Sequence, residues 1–167
     1  MKSLTIVRHA KAGWGKQTQD DFQRSLNERG FRDSADMAQR LLVQGLAPQK
    51  IVTSPALRAI TTARRFADTF GLEPALLTTD HSIYEASSDN LHDVVWGLSD
   101  DYNDIMLVGH NPGLSDLVRS LASQMIDELA TCEVVILQFD CEAWHKIDAH
   151  SGRLSFNDAP RKHNNIG

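Results

Sequence analysis

Three short, uninterrupted apolar runs constrain what this chain can fold into more than any other feature. Residues 4–7, 50–53 and 105–108 lack the polar alternation of a strand that has one face in water. Runs of this kind suit strands that are buried on both faces, as in a parallel sheet covered by helices. The pattern therefore predicts an α/β fold with a mostly parallel central sheet.

Helical patterns fill the segments between these runs. The first predicted helix is capped by Asn27 and ends at Gly45, since asparagine favours helix starts and glycine favours helix ends. Its apolar side is predicted to consist of Phe31, Ala35, Ala38, Leu41 and Leu42. A second helix is predicted to start at Ser54-Pro55 and to stop before Gly71, because serine is a good cap and proline suits the first helical position. Together these segments form a βαβ unit followed by another helix.

The rest of the chain continues in the same way. It is predicted to contain a helix capped by Asp89 and running to Trp96, a helix over 112–122, a strand over 131–139, an edge strand over 152–156 and a frayed polar tail over 158–167. No internal repeat or linker interrupts this order, so residues 1–167 are expected to form a single domain.

Composition excludes several classes of function. The chain has 17 basic and 22 acidic residues, a net charge of −5, which argues against non-specific binding to nucleic acid or to an anionic membrane surface. No apolar run approaches the roughly 20 residues that span a bilayer, so no membrane association is expected. Cys132 and Cys141 have neither zinc-site nor CxxC spacing. A reduced, cytoplasmic protein is the simplest interpretation, with one disulfide as the alternative.

Charged residues follow each of the three apolar runs. Arg8 and His9 follow the first, Arg58 lies in the helical turn after the second, and His110 follows the third. Ligands of open α/β sheets bind outside the carboxyl ends of the strands. Two arginines and two histidines are thus expected at one sheet edge. Arginine forks and helix N-termini suit phosphate oxygens, so the predicted ligand is a phosphoryl group.

Each of these residues also has an ordinary structural explanation. A lone histidine at a strand end is more often a structural group than a catalyst, and an arginine in a first helical turn is usually a solvated charge. The coincidence of four such residues at strand ends favours a site. The other histidines, His81, His92, His145, His150 and His163, show no metal-ligand spacing and are expected on the solvated surface, whereas Trp14, Trp96 and Trp144 are expected to pack. No metal or cofactor is predicted.

Three separated motifs resemble the histidine phosphatase superfamily, which includes the phosphoglycerate mutases. They are Arg8-His9, the stretch over residues 54–63 (SPALRAITTA) and Val108-Gly-His110, in the family's order. The opening RHAKA over residues 8–12, followed by RSLNERG over residues 24–30, most resembles the compact SixA-type phosphohistidine phosphatases. The resemblance covers about residues 3–140. It implies a phosphoglycerate mutase-like fold of three α/β/α layers.

The resemblance also implies a mechanism. His9 would attack phosphorus and form a phosphohistidine enzyme intermediate that water later cleaves. Arg8, Arg58 and His110 would bind the phosphoryl oxygens, without a metal. Arg24 matches an arginine of the compact branch that can reach the same anion; a loop charge paired with Asp20 or Asp21 is an equal alternative.

The proton donor is less defined. Glu85 is the first candidate, because an acidic residue protonates the leaving oxygen in larger family members, and Asp21 is its rival. A histidine leaving group, with a reference pKa near 6.5, departs readily and needs less help from an acid. The Arg-His-Gly signature of the family is Arg8-His9-Ala10 here, with Lys11 next, and this departure argues against mutase activity.

The expected substrate follows from the length of the chain. Residues 71–103 leave little chain for a lid, so an open site is predicted. Open sites suit a phosphate carried on a protein surface, whereas small metabolites usually need enclosure. The leading hypothesis is a phosphohistidine phosphatase that acts on a phosphorylated protein, such as a histidine-containing phosphotransfer domain. The alternatives are a phosphatase for small phosphate esters and a non-catalytic phosphate-binding module.

Overall fold

The computed structural model describes residues 1–14 and 20–163. The strands are β1 (Lys2–Arg8), β2 (Lys50–Thr53), β3 (Leu77–Thr79), β4 (Asp104–Gly109), β5 (Val134–Phe139) and β6 (Arg153–Asp158). The helices are α1 (Glu28–Val43), α2 (Leu57–Phe70), α3 (Ser88–Trp96) and α4 (Gly113–Leu121). Within this part of the chain, no helix has the length and apolarity needed to cross a membrane.

The six strands form one sheet in the order β3-β2-β4-β1-β5-β6. β1 to β4 are mutually parallel, β5 is antiparallel to β1, and β6 is antiparallel to β5. Five strands therefore run in one direction and one runs against them. The prediction of a mostly parallel sheet is confirmed, and the sheet is mixed because β5 enters it from the carboxyl end of β1, where Val134 pairs with Val7.

Helices cover both faces of this sheet. In β4, Met106 and Val108 face the core beneath α1 and α2, while Ile105 and Leu107 face the core beneath α3 and α4. This alternation is the period of a strand whose two faces are both buried. The observed architecture is the three-layer α/β/α fold that the resemblance implied.

Both predicted N-caps after the first helix are displaced. α2 begins at Leu57 after Ala56, so Ser54 is not its cap; the Ser54 hydroxyl accepts from the Ala56 N–H at 3.2 Å in a turn before the helix. α3 is capped by Ser87, which accepts from the Asn90 N–H at 3.2 Å, and not by Asp89. Ser87 thus satisfies a free amide in the first turn of α3, as Asp89 was expected to do, whereas no side chain caps the first turn of α2.

The first helix has the predicted cap, and its buried face is the predicted one in part, since Ala38 and Leu41 are buried. Asn27 accepts from the Gly30 N–H at 2.9 Å, yet Phe31 and Leu42 are 38% and 39% exposed. Gly30 lies against the backbone after β1, where a Cβ atom would be 2.1 Å from the Lys11 oxygen. This close approach turns the small residues Gly30 and Ser34 inward, and the Phe31 side chain outward.

The expected frayed tail does not begin at residue 158. Asp158 is the last residue of β6, Ala159 and Pro160 are buried, and Pro160–Lys162 forms a 3-10 helix. Residues 164–167 lie outside the described part of the chain. β5 is also shorter than predicted, because Cys132 adopts a positive φ of 57° in a turn before Val134.

Several single-residue expectations are corrected. Trp144 is buried as predicted, but Trp14 is 71% and Trp96 is 45% exposed. His92 is not a solvated surface group, since its Nε2 lies 2.8 Å from the Ser120 hydroxyl. His163 pairs with Asp158, whereas His81, His145 and His150 are exposed. Cys132 and Cys141 are both free thiols.

Candidate active site

The carboxyl ends of β1 and β4 bring two histidines together. The strands are neighbours, with Arg8 opposite Gly109, and the His9 N–H donates to the Gly109 carbonyl at 3.0 Å. The residue that follows each strand is a histidine, so the His9 and His110 rings lie side by side with centroids 5.2 Å apart. Both side chains are buried except for a small accessible area. This is the pairing that the strand-end pattern predicts.

The hydrogen bond of His9 fixes its tautomer. Its Nδ1 lies 2.8 Å from the carbonyl oxygen of Ala10. A carbonyl can only accept, so Nδ1 carries the proton and Nε2 bears the lone pair. No described residue hydrogen-bonds that Nε2. The Ala10 N–H donates to the Thr62 hydroxyl at 3.0 Å, so α2 holds the backbone beside the ring.

Both histidines are held neutral. Burial lowers the pKa of His9 to about 3, and the positive charges of Arg58 and Arg8 act in the same direction. Burial also lowers the pKa of His110 to about 4, with Arg58 as the next cause. A neutral imidazole with a free lone pair is a nucleophile, whereas an imidazolium is not.

Two partners of His110 were missed by the sequence analysis. Its Nε2 lies 2.7 Å from the Ser54 hydroxyl, at the end of β2, and the Tyr84 ring packs edge-on at 5.6 Å between centroids. Ser54 follows a strand at the same sheet edge, which was a usable signal, but its capping propensity explained it equally well. Tyr84 carried no comparable signal beyond its place next to Glu85.

The two predicted arginines have unmet hydrogen-bonding capacity. Arg8 donates through Nη1 to the Leu129 carbonyl at 2.9 Å, and Arg58 donates to the Asp21 carbonyl at 2.7 Å and to its carboxylate at 3.1 Å. The Nε atoms of both arginines are buried without a partner, as is Nδ1 of His110. Unpaired buried polar atoms cost about 1–3 kcal/mol each. Three of them among these residues at one sheet edge indicate a site shaped for an anion.

Asp21 organises one side of the site through a hydrogen bond and two ion pairs. Its carboxylate accepts from the Tyr84 hydroxyl at 2.6 Å and pairs with Arg24 and Arg58, each at 3.1 Å. The Tyr84 hydrogen bond and the two arginines hold the pKa of Asp21 at about 2. Asp21 is thus ionised near neutral pH and paired with the positive side of the site.

Arg24 reaches the site through Asp21. Besides that ion pair, Arg24 donates through Nε to the Gly13 carbonyl at 3.2 Å. Its guanidinium carbon lies over the Trp14 ring, 3.8 Å from the ring centroid. These contacts match the alternative of a loop charge paired with Asp21. No described contact joins Arg24 to His9 or His110.

Glu85 lies in the loop that borders His110. It is exposed and has a positive φ of 54°, and no described residue hydrogen-bonds its carboxylate. The following residue, Ala86, packs tightly on the start of α4, where a Cβ atom on Gly113 would lie 2.1 Å from the Ala86 oxygen. The structure therefore places Glu85 next to the Tyr84 ring that contacts His110, with its side chain open to solvent.

Residues 1–14 and 20–163 contain no group of three or more His, Cys, Asp or Glu side chains that could hold a metal ion. The positive charge at the site comes from the two arginines.

The fold is that of known SixA structures. A protein of Agrobacterium tumefaciens named after the phosphohistidine phosphatase SixA superposes with a TM-score of 0.81 at 24% identity, over 95% of this chain and 98% of that one. The protein histidine phosphatase SixA in complex with tungstate superposes with a TM-score of 0.81 at 20% identity, over 96% of this chain and 99% of that one. A mycobacterial glucosyl-3-phosphoglycerate phosphatase superposes with a TM-score of 0.69 at 16% identity, over 95% of this chain and 100% of that one. At these identities the likeness establishes the fold.

Sequence comparison establishes the family. The family profile of the histidine phosphatase superfamily (branch 1) matches residues 4–87, which include Arg8, His9 and Arg58. An uncharacterised chloroplastic protein of Arabidopsis thaliana is 30% identical over 159 residues, covering 90% of this chain and 72% of that protein. The matched segment carries β1 with the His9 that follows it and α2 with Arg58. The chain belongs to the histidine phosphatase superfamily (branch 1).

Proposed function

We propose that this protein hydrolyses phosphohistidine on a phosphoprotein, with His9 as the nucleophile and without a metal or cofactor. The observation that carries the proposal is the neutral His9 ring, whose Nδ1 is committed to the Ala10 carbonyl and whose Nε2 has no partner among the described residues. The unpaired Nε donors of Arg8 and Arg58 support it, because the two guanidinium groups supply hydrogen bonds and charge for phosphoryl oxygens, and Nδ1 of His110 also has no partner beside them.

The reaction proceeds in two displacements. His9 Nε2 forms a bond to phosphorus as the bond from phosphorus to the leaving nitrogen breaks, and the departing imidazole takes up a proton. The phosphorylated His9 ring is cationic because Nδ1 keeps its proton, and the Ala10 carbonyl stabilises that charge. Water then attacks phosphorus, and inorganic phosphate leaves with neutral His9 restored.

We assign the proton donor to Glu85. The Asp21 carboxylate is committed to Tyr84, Arg24 and Arg58, whereas Glu85 follows Tyr84, whose ring contacts His110, and is free of competing hydrogen bonds within the described chain. A phosphohistidine substrate makes only a modest demand on this acid, since imidazole is a far better leaving group than an alkoxide. The weakly fixed position of Glu85 is therefore compatible with the proposed substrate.

The surroundings of the site favour a protein substrate. Residues 71–103 are taken up by β3, α3 and two 3-10 turns, Pro74–Leu76 and His81–Ile83, so this segment supplies no long lid. A phosphoryl group carried on another protein, such as a histidine-containing phosphotransfer domain, can approach such an edge. The names of the SixA structures agree with this choice of substrate.

A substrate panel tests the proposal. Turnover of a phosphohistidine protein, a phosphoserine peptide and p-nitrophenyl phosphate is measured in excess EDTA, with His9→Ala as the blank. We expect the phosphohistidine protein to have the highest kcat/KM and EDTA to leave it unchanged. Preference for a small ester would instead indicate a small-molecule phosphatase. Loss of activity in EDTA with recovery on adding Mg²⁺ or Zn²⁺ would refute the metal-free site, and binding without turnover would indicate a phosphate-binding module.

A further inference from the structure

Arg8 depends on a backbone carbonyl for its orientation. Among the described residues, its guanidinium makes one hydrogen bond, from Nη1 to the Leu129 carbonyl at 2.9 Å. Glu128 and Glu133 influence Arg8 through their charges only. The direction in which the guanidinium points is therefore set by the position of that single carbonyl.

Leu129 is itself held by two side chains, one from the loop after β4 and one from the first turn of α4. Its carbonyl accepts a second hydrogen bond, from Asn111 Nδ2 at 2.9 Å. Its N–H donates to the Ser115 hydroxyl, also at 2.9 Å. The Asn111 and Ser115 side chains thus fix Leu129 at both its N–H and its carbonyl.

The orientation of the Asn111 amide is determined by these contacts. Its Oδ1 accepts from the Ser115 hydroxyl at 2.7 Å and from the Ser115 N–H at 3.3 Å. The amide nitrogen must then face Leu129, because an N–H donates and a carbonyl accepts. Ser115 is buried, so water competes little for these bonds.

We propose that Asn111 is a positioning residue that acts through Leu129 on Arg8. Asn111 follows His110 directly in sequence. Its side chain therefore connects the loop that carries His110 to Leu129, the residue that holds the Arg8 guanidinium. The inference rests on the proposed function in one respect, namely that Arg8 binds the transferred phosphoryl group.

The test is a double-mutant cycle between Asn111 and Arg8. Asn111→Asp keeps the size of the side chain but replaces the donor to Leu129 with a carboxylate oxygen, so it opposes the carbonyl that orients Arg8. The matched control is Asn103→Asp, the same change at an exposed position just before the opposite end of β4, where the side-chain oxygen accepts from Lys2. Each substitution is made in the wild-type chain and with Arg8→Ala. Tungstate affinity and p-nitrophenyl phosphate turnover are measured for every variant.

We expect Asn111→Asp to weaken tungstate binding and kcat/KM about tenfold in the wild-type chain and less than about twofold beside Arg8→Ala, since residues that act through one another are not additive. Asn103→Asp should match its parent. Equal losses in both backgrounds, or no loss in either, would overturn the proposal. If melting shows that Asn111→Asp is unfolded, Asn111→Ser removes the amide without adding a charge and is judged by the same criterion.

Failure of the proposed function would look different. A wild-type chain that binds tungstate but hydrolyses no phosphate compound would refute the phosphatase assignment, while the tungstate measurements would still decide the role of Asn111. An active wild-type chain with an unaffected Asn111→Asp variant would refute the positioning role alone.

Discussion

In this site, the protonation state of a side chain depends on its surroundings more than on its residue type. His9 and His110 are ordinary histidines made neutral by removal from water, and Asp21 is an ordinary aspartate kept ionised by Tyr84 and Arg58. Among the described residues of the site, the arginines carry the positive charge. The proposed nucleophile, His9, is therefore uncharged, while the charge proposed to bind the phosphoryl group comes from Arg8 and Arg58; the residue types by themselves do not indicate this division.

Replacing the proposed acid should separate two kinds of substrate. General acid catalysis is worth about 10²–10⁴-fold. We expect Glu85→Gln to slow hydrolysis of an alkyl phosphate by a factor of that order, and to slow hydrolysis of a phosphohistidine protein much less, because imidazole leaves without an alkoxide's penalty. Steady-state kcat/KM on both substrates measures the contrast.

The control for this experiment is Glu73→Gln, the same change at an exposed position before the Pro74–Leu76 turn. It should leave both rates unchanged. Equally small effects of Glu85→Gln on the two substrates would remove Glu85 from the mechanism.

At the scale of elements, the site depends on tight contact between helix starts and loops. The start of α4 touches the loop that contains Glu85 so closely that a Cβ atom on Gly113 would lie 2.1 Å from the Ala86 oxygen. A glycine-to-alanine change inside a helix ordinarily stabilises it by about 0.5–1 kcal/mol. We predict the opposite sign for Gly113→Ala, a loss of about 1–3 kcal/mol from overpacking. Urea unfolding measures the change, and turnover should fall with it.

Gly13→Ala provides the comparison. The nearest atom to its new Cβ would be the Asn27 Cβ at 3.8 Å, an ordinary contact. Its stability should stay close to that of the parent chain. If Gly113→Ala proved as stable as Gly13→Ala, the close packing of α4 on the Glu85 loop would not be a feature of the protein in solution.

The elements also show what could be predicted from the sequence. The buried strands β1, β2 and β4, and the residues at their ends, follow from apolar runs, because burial on both faces leaves a local signature. Which face of α1 is buried does not follow from the sequence, since it depends on the close approach of Gly30 to the Lys11 backbone. The Ser54 contact with His110 and the Asp21 contacts with Arg58 and Tyr84 join residues far apart in the chain, and pairings of that kind leave no local pattern.

At the scale of the whole molecule, the buried histidines make stability depend on pH. Their pKa values are about 3 and about 4 in the folded chain, against about 6.5 when unfolded. Below pH 6.5 the unfolded chain therefore binds more protons, and the free energy of unfolding falls as pH falls. The slope is about 1.4 kcal/mol per pH unit for each histidine. Stability should decline between pH 6.5 and 4.

Urea unfolding at pH 7, 6, 5.5 and 5 measures this dependence. His9→Ala should lose about half of the slope that the two histidines contribute, whereas His145→Ala, at an exposed position, should keep the slope of the parent chain. An unchanged slope in His9→Ala would contradict the conclusion that His9 is buried and neutral in the folded chain.

The most direct test of the central claim is to trap the phosphoryl group during turnover. The enzyme is mixed with a radiolabelled phosphohistidine protein, quenched in alkali within milliseconds and mapped by peptide analysis. We predict an alkali-stable, acid-labile label on His9, and no label and no turnover in a folded His9→Ala variant. Label on any other residue, or turnover that survives in His9→Ala, would contradict it.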